Sequence, residues 1–132
     1  MLKFNGSFVG LIGTRSRDED DDFNLAFQKL LQVFKPGDIL VSGGCGKGGD
    51  RFARQINYLY NADYLEFPAN WKKDGKSAGY KRNIKIANFS DILIAIVDPA
   101  SIYKGGDHSG GTEHTIKTWL GLGNEKSNLH II

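Results

Sequence analysis

A chain of 132 residues with 40% hydrophobic and 11% aromatic side chains has the length of one domain and the apolar content for a real core. Lys and Arg number 17 against 15 Asp and Glu, a net charge of +2, which excludes a general polyanion binder and disfavours nucleic acid as a partner. Cys45 is the only cysteine, which excludes an internal disulfide and a zinc cluster built from thiolates. No apolar run approaches the roughly 20 residues that span a membrane. The opening MLKFNGSF lacks a signal peptide's apolar region, so a cytoplasmic protein is expected.

Short apolar runs alternate with longer helix-like segments. Strands are expected at residues 7–13 (SFVGLIG), 38–43 (DILVSG), 63–67 (DYLEF), 91–98 (DILIAIVD) and 129–132 (LHII). The fourth is apolar on successive residues, as in a central parallel strand covered on both faces. Helices are expected near residues 23–34, 50–61, 78–89 and 112–122. In the first, Phe23, Phe27, Leu30, Leu31 and Phe34 recur at helical spacing before KPGD (residues 35–38) stops it. In the second, Phe52, Ile56, Leu59 and Tyr60 repeat the stripe. The third opens on GKSAGYKRN (residues 75–83), with Ser77 as its expected N-cap. Five strands alternating with four helices predict an α/β fold: one Rossmann-like, doubly wound domain over residues 1–132, its strands mainly parallel and its helices on both faces. Residues 68–77 and 99–111 remain as long irregular segments, and both follow strands.

Right-handed crossovers put every strand-to-helix loop at one sheet edge, where such folds bind ligands. Those loops are GTRSR, GGCGKGGD, PANWKKDGKS and DPASIYKGGDHSGGTE. The second has glycines at 43, 44, 46, 48 and 49. Gly44, Gly46 and Gly49 match the dinucleotide spacing G-x-G-x-x-G, with Glu66 near the place of a ribose-binding acid. The loop follows the second strand rather than the first, and the chain is too short for a catalytic domain, which argues against a dehydrogenase. A Walker loop fails as well, because Lys47 is followed by Gly48 and position 41 is Val. Both motifs share a run of backbone N–H groups opening a helix, an anion nest that glycines let a phosphate approach. Gly43, Gly44, Gly46 and Lys47 are therefore expected to hold phosphate, or else to serve close helix–sheet packing.

Arg15, at the end of the first strand, is the expected companion, since a guanidinium can fork onto phosphate oxygens. Arg17 has local carboxylate partners in RDEDDD. The run from Asp18 to Asp22 is read as a solvated first helical turn, favoured by the helix dipole, and not as a metal site. Trp71 can stack on a base or cover the sheet edge. Cys45 reads as a small residue filling a tight turn, or as a reactive thiol. Asp50 reads as a helix cap or a ligand contact. His108, His114 and His130 lack metal-ligand spacing, so neither a metal nor a cofactor is expected.

The order strand-G-T-R, S-G-G-x-G-x-G-G-D-R-x-A, F-P-A-x-W-x-x-x-G-K-x-A-G-x-x-R-N, strand, G-G-T resembles the SLOG superfamily. This is the Rossmann-like group joining the LOG phosphoribohydrolases and the DprA/Smf proteins, and the match is closest to the small single-domain proteins related to YspA and YpsA. The similarity runs from Gly10 to about Leu122 and is most specific over residues 67–83. It implies a nucleotide or nucleotide-derived ligand, such as an ADP-ribose-like compound, lined by Gly13, Thr14, Arg15, Ser42, Gly43, Gly44, Asp50, Arg82, Asn83, Gly110, Gly111 and Thr112. In LOG enzymes an Arg and a Glu cleave the N-glycosidic bond of a nucleoside monophosphate; the matching positions here are Arg82 and Glu113. The enzymes place their Glu two or three residues after the Thr, where this chain has His114 and Thr115. A shift of one or two helical positions turns a side chain by ~100–200°. The resemblance therefore implies, first, a binding module acting as sensor or sequestering protein. A phosphoribohydrolase comes second, and a DNA-associated DprA-like protein third. LOG relatives assemble beside the site, and the apolar IKTWLGLG (residues 116–123) accordingly predicts a homo-oligomer.

Overall fold

The computed structural model describes residues 6–45, 48–98 and 111–132. The strands are β1 (Phe8–Gly13), β2 (Ile39–Ser42), β3 (Asp63–Glu66), β4 (Ile92–Ile96) and β5 (Leu129–Ile131). They form one sheet in the order β3-β2-β1-β4-β5, with every neighbouring pair parallel. The helices are α1 (Asp20–Val33), α2 (Gly49–Tyr60), α3 (Trp71–Asp74), α4 (Ala78–Phe89) and α5 (Gly111–Gly121). The expected doubly wound α/β fold is present. The chain winds outward from β1 to β2 and β3, then returns past β1 to β4 and β5. The crevice where winding reverses lies between β1 and β4.

Alternation along the strands divides the core between two faces. Val9 and Leu11 of β1 with Ile94 and Ile96 of β4 bury Ala26 and Leu30 of α1 and Phe52, Ala53 and Ile56 of α2. On the other face Ile12, Leu93, Ala95 and Val97 bury Ile86 and Ala87 of α4 and Trp119 of α5. Each strand residue thus meets a helix whichever way it points, which is why the DILIAIVD run is apolar throughout. The start of β1 is fixed by the acids that open two neighbouring strand runs: Ser7 N donates to Asp38 (2.8 Å) and Phe8 N to Asp91 (2.8 Å).

Two local expectations change. The segment 68–77 is not irregular throughout: Asn70 accepts the Lys73 N–H (3.1 Å) and starts α3, and a 3₁₀ turn (Gly75–Ser77) leads straight into α4. Ser77 is consequently no cap, because the chain is already helical there and its hydroxyl donates to the Asp74 carbonyl (2.8 Å). The segment IKTWLGLG also meets a different fate. Trp119 is 0% exposed, its indole N–H donates to the Ser90 carbonyl (2.8 Å), and Ile116 and Leu120 pack beside it. The core of this domain thus takes Trp119 whole and Ile116 and Leu120 in part, while Leu122 stays 52% exposed. No helix among the described residues is long and apolar enough to cross a membrane.

Gly49 is where α2 touches the sheet. A Cβ there would fall within the backbone of Ile12 and Gly13, whereas one on Gly121 would meet nothing within 4 Å. Gly49→Ala should destabilise the fold by about 1–3 kcal/mol through overpacking against immovable backbone. Gly121→Ala should be neutral or stabilise by up to about 1 kcal/mol. Urea denaturation midpoints of the two variants check both signs.

Candidate functional site

The carboxyl ends of β1, β2 and β4 open into a cavity of about 550 Å³, within the range of small-molecule sites. Gly13, Thr14 and Arg15 line it after β1, Gly43, Gly44, Cys45 and Asp50 around the start of α2, and Asp98 after β4. Trp71, Arg82 and Asn83 close one side, and Gly111, Thr112 and Glu113 come from the first turn of α5. Eleven positions read from the sequence as ligand contacts or catalytic groups therefore meet in one space: Gly13, Thr14, Arg15, Gly43, Gly44, Asp50, Arg82, Asn83, Gly111, Thr112 and Glu113. Ser42 does not line it; it is fully buried and donates to Asp50 (2.9 Å). Gly46, Lys47, Gly110 and His108 lie outside the described residues.

The glycine loop differs from an open anion nest. The N–H groups of Gly43 (3.3 Å) and Cys45 (3.0 Å) both donate to the Asp50 carboxylate, and that of Gly48 donates to Asp18 (2.8 Å). These N–H groups are satisfied within the chain. Gly48, with φ at +70°, carries the backbone across the Thr14 carbonyl, and Gly49 lies on β1. The packing role foreseen for the glycines is thus realised at both positions. Glu66 is no ribose acid here. Arg54 forks onto its two oxygens (2.8 and 3.3 Å) and the Tyr64 hydroxyl donates to it (2.8 Å). The Arg54 hydrogen bond holds the Glu66 carboxyl below its ordinary pKa, while burial, with Glu66 beside it, pushes the Tyr64 hydroxyl up.

Three of the arginines at this edge have separate employment. Arg17 pairs with Asp22 (2.9 Å) and donates to the carbonyls of Val97 (3.0 Å) and Ile132 (2.6 Å), tying the ends of β4 and β5 to the loop after β1. Arg82 donates Nη1 to the Gly43 carbonyl (2.8 Å) and Nε to Asn83 (3.0 Å), and lies 3.8 Å from Asp50. Its Nη2 makes no hydrogen bond among the described residues. Arg15 is exposed, lines the cavity and has no hydrogen bond or ion pair among the described residues. The acidic run behaves as a helix start: Asp22 accepts the Glu19 N–H (3.2 Å), and Asp18 pairs with Arg51 (2.6 Å). No group of three metal-ligating side chains occurs among the described residues.

Asp98, which closes the DILIAIVD run and opens the loop after β4, also lines the cavity. Asn83 matters for a reason its motif did not carry. It is 4% exposed. It accepts from Arg82 and donates to the Gly111 carbonyl (3.1 Å), joining α4 to the start of α5. Behind it His114 faces the Asn83 amide (3.4 Å) and the edge of Tyr80, and burial lowers its pKa below the ordinary 6.5.

Asn83→Ala should cost about 1–3 kcal/mol in urea denaturation, since it leaves the part-buried Arg82 Nε–H without its acceptor and takes from the Gly111 carbonyl one of its donors, the Thr115 hydroxyl (2.8 Å) remaining. The histidine gives a pH dependence. With its folded pKa depressed, His114 binds fewer protons folded than unfolded, so its stability contribution is intact above pH 6.5 and declines as pH falls below it. His130, also depressed by burial, adds in the same sense. Wild-type midpoints should therefore fall on acidification below 6.5, and those of His114→Gln should fall less. No family model matches the chain, and no curated protein or solved structure matches it.

Proposed function

We propose that the protein is a SLOG-like cytoplasmic domain that binds a nucleotide or nucleotide-derived ligand across the carboxyl edge of its sheet, as a sensor or sequestering module. One observation carries this reading: a single cavity at the β1/β4 crevice faces three different chemistries. Arg15, without a partner among the described residues, suits a phosphate. The carboxylates of Asp50, Asp98 and Glu113 line the same space and accept hydroxyl donors such as those of a ribose. Trp71, 58% exposed and packed over Gly79 at the start of α4, offers an aromatic face to a base. A bare inorganic anion would leave the acids and the indole unused, whereas a nucleotide uses all three.

The presence of Arg82 and Glu113 around that same cavity favours a second reading, an N-glycosidase acting on a nucleoside 5′-monophosphate. In that reading Glu113 stabilises oxocarbenium character and Arg82 helps hold the phosphate. The binding reading stands first because Arg82 is engaged by Gly43, Asn83 and Asp50, and because Glu113 sits one or two residues earlier than the enzymatic spacing asks.

Thermal shift separates the readings. Nucleoside 5′-phosphates should stabilise the fold by about 2.7 kcal/mol at a hundredfold excess over Kd, and bare nucleosides should do so weakly. No free base should appear on incubation with a panel of nucleoside monophosphates. Equal stabilisation by a nucleoside and its phosphate would defeat the reading. Base release that disappears in Glu113→Gln would transfer the assignment to the glycosidase.

A further inference from the structure

Asp50 is the second residue of α2, yet it is only 8% exposed. Its carboxylate turns back into the glycine loop. Oδ1 accepts the Ser42 hydroxyl (2.9 Å) and the Gly43 N–H (3.3 Å), Oδ2 accepts the Cys45 N–H (3.0 Å), and Arg82 Nη1 stands 3.8 Å away. Two backbone N–H groups, a hydroxyl and a guanidinium at a helix start are the donor set that a glycine loop otherwise presents to phosphate. Here an anion tethered to the helix already occupies it. An incoming phosphate would have to displace that carboxylate and leave it buried, unpaired and beside a like charge. Gly43 permits the arrangement: a Cβ there would come within 2.7 Å of Arg82 Nη1 and 2.9 Å of Asp50 Oδ2.

We propose that Asp50 is a resident anion that closes the glycine loop to phosphate and turns this end of the cavity into an acceptor for neutral donors, the hydroxyls of a sugar. Two carboxylate oxygens offer about four lone-pair sites; Ser42, Gly43 and Cys45 use three, and Asp50 lines the cavity. The ligand's anionic group is thereby left to Arg15, which lines the cavity and has no hydrogen bond or ion pair among the described residues. The inference rests on the cavity being the ligand site, and it specifies which ligand groups Asp50 accepts and which it turns away.

Inorganic phosphate is the probe, titrated into wild type, Asp50→Asn and Asp50→Ala and followed by thermal shift and by the Gly43 and Cys45 amide signals in proton–nitrogen correlation spectra. In wild type these amide signals should not move at millimolar phosphate. Asp50→Ala, which frees the donors and removes the charge beside Arg82, should bind phosphate on the order of tenfold more tightly or better. Asp50→Asn should gain in the same direction by less. Saturable movement of the wild-type Gly43 and Cys45 signals would overturn the proposal, and so would folded variants that bind phosphate no better than wild type. Should neither variant fold, the wild-type titration decides alone. Failure of nucleotides to stabilise the wild type would remove the proposed function without touching this result, because no nucleotide enters the experiment.

Discussion

The first turn of α2 rests directly on the backbone of β1, and the geometry of the site depends on that contact. Gly13 and Gly49 face each other across it, and neither leaves room for a Cβ. Phe52, Ala53 and Ile56 hold the helix down from the core side. A helix start pinned between packed side chains below and strand backbone beside it has little freedom to translate. Asp50, one residue further along, is therefore placed by core packing as much as by its own hydrogen bonds. The loop between β2 and α2 then closes around it.

Carboxylates do much of the remaining work at both edges of the sheet. Asp38 and Asp91 hold the N–H groups that begin β1, and Asp18 and Asp50 take those of Gly48, Gly43 and Cys45. Hydrogen bonds to a charged group stabilise by about 1.5–3 kcal/mol, roughly twice a neutral one. Short loops that lack side chains of their own gain order from such acceptors. Arg17 and Arg51 then offset part of the charge thus placed, through Asp22 and Asp18. Arg15 is left as a cation at the cavity without a hydrogen bond or ion pair among the described residues.

The cavity is consequently mixed in chemistry. The glycine loop brings a buried carboxylate and the Arg82 guanidinium that answers it. Arg15 after β1, the first turn of α5 and Trp71 line the same space. Asn83 joins these parts, its amide tying α4 to the first turn of α5. Carboxylates and a cation thus line one cavity on a frame whose polar groups are mutually held.

The sequence alone determined the class of fold and the edge at which to look. Period-two and continuous apolar runs separated by helical stripes specify strands and helices, and chirality then places every strand-to-helix loop at one edge. Residues such as Arg15, Gly43, Arg82 and Glu113 were legible as neighbours for that reason alone. What each does was decided only by the tertiary structure, because hydrogen-bond partners distant in sequence compete for the same groups. The glycine run has the spacing of an anion nest, but Asp50 and Asp18 take the N–H groups of Gly43, Cys45 and Gly48. Glu66 has the position of a ribose acid, but Arg54 on the neighbouring helix takes it. Ser77 has the residue type of a cap, but a 3₁₀ turn ahead of α4 leaves it nothing to cap. The apolar tail of α5 reads as an exposed stripe until Trp119 is seen inside the core. Local pattern sets what a segment can form, whereas the partners that satisfy its polar groups come from elsewhere in the chain and are fixed only once the layers pack.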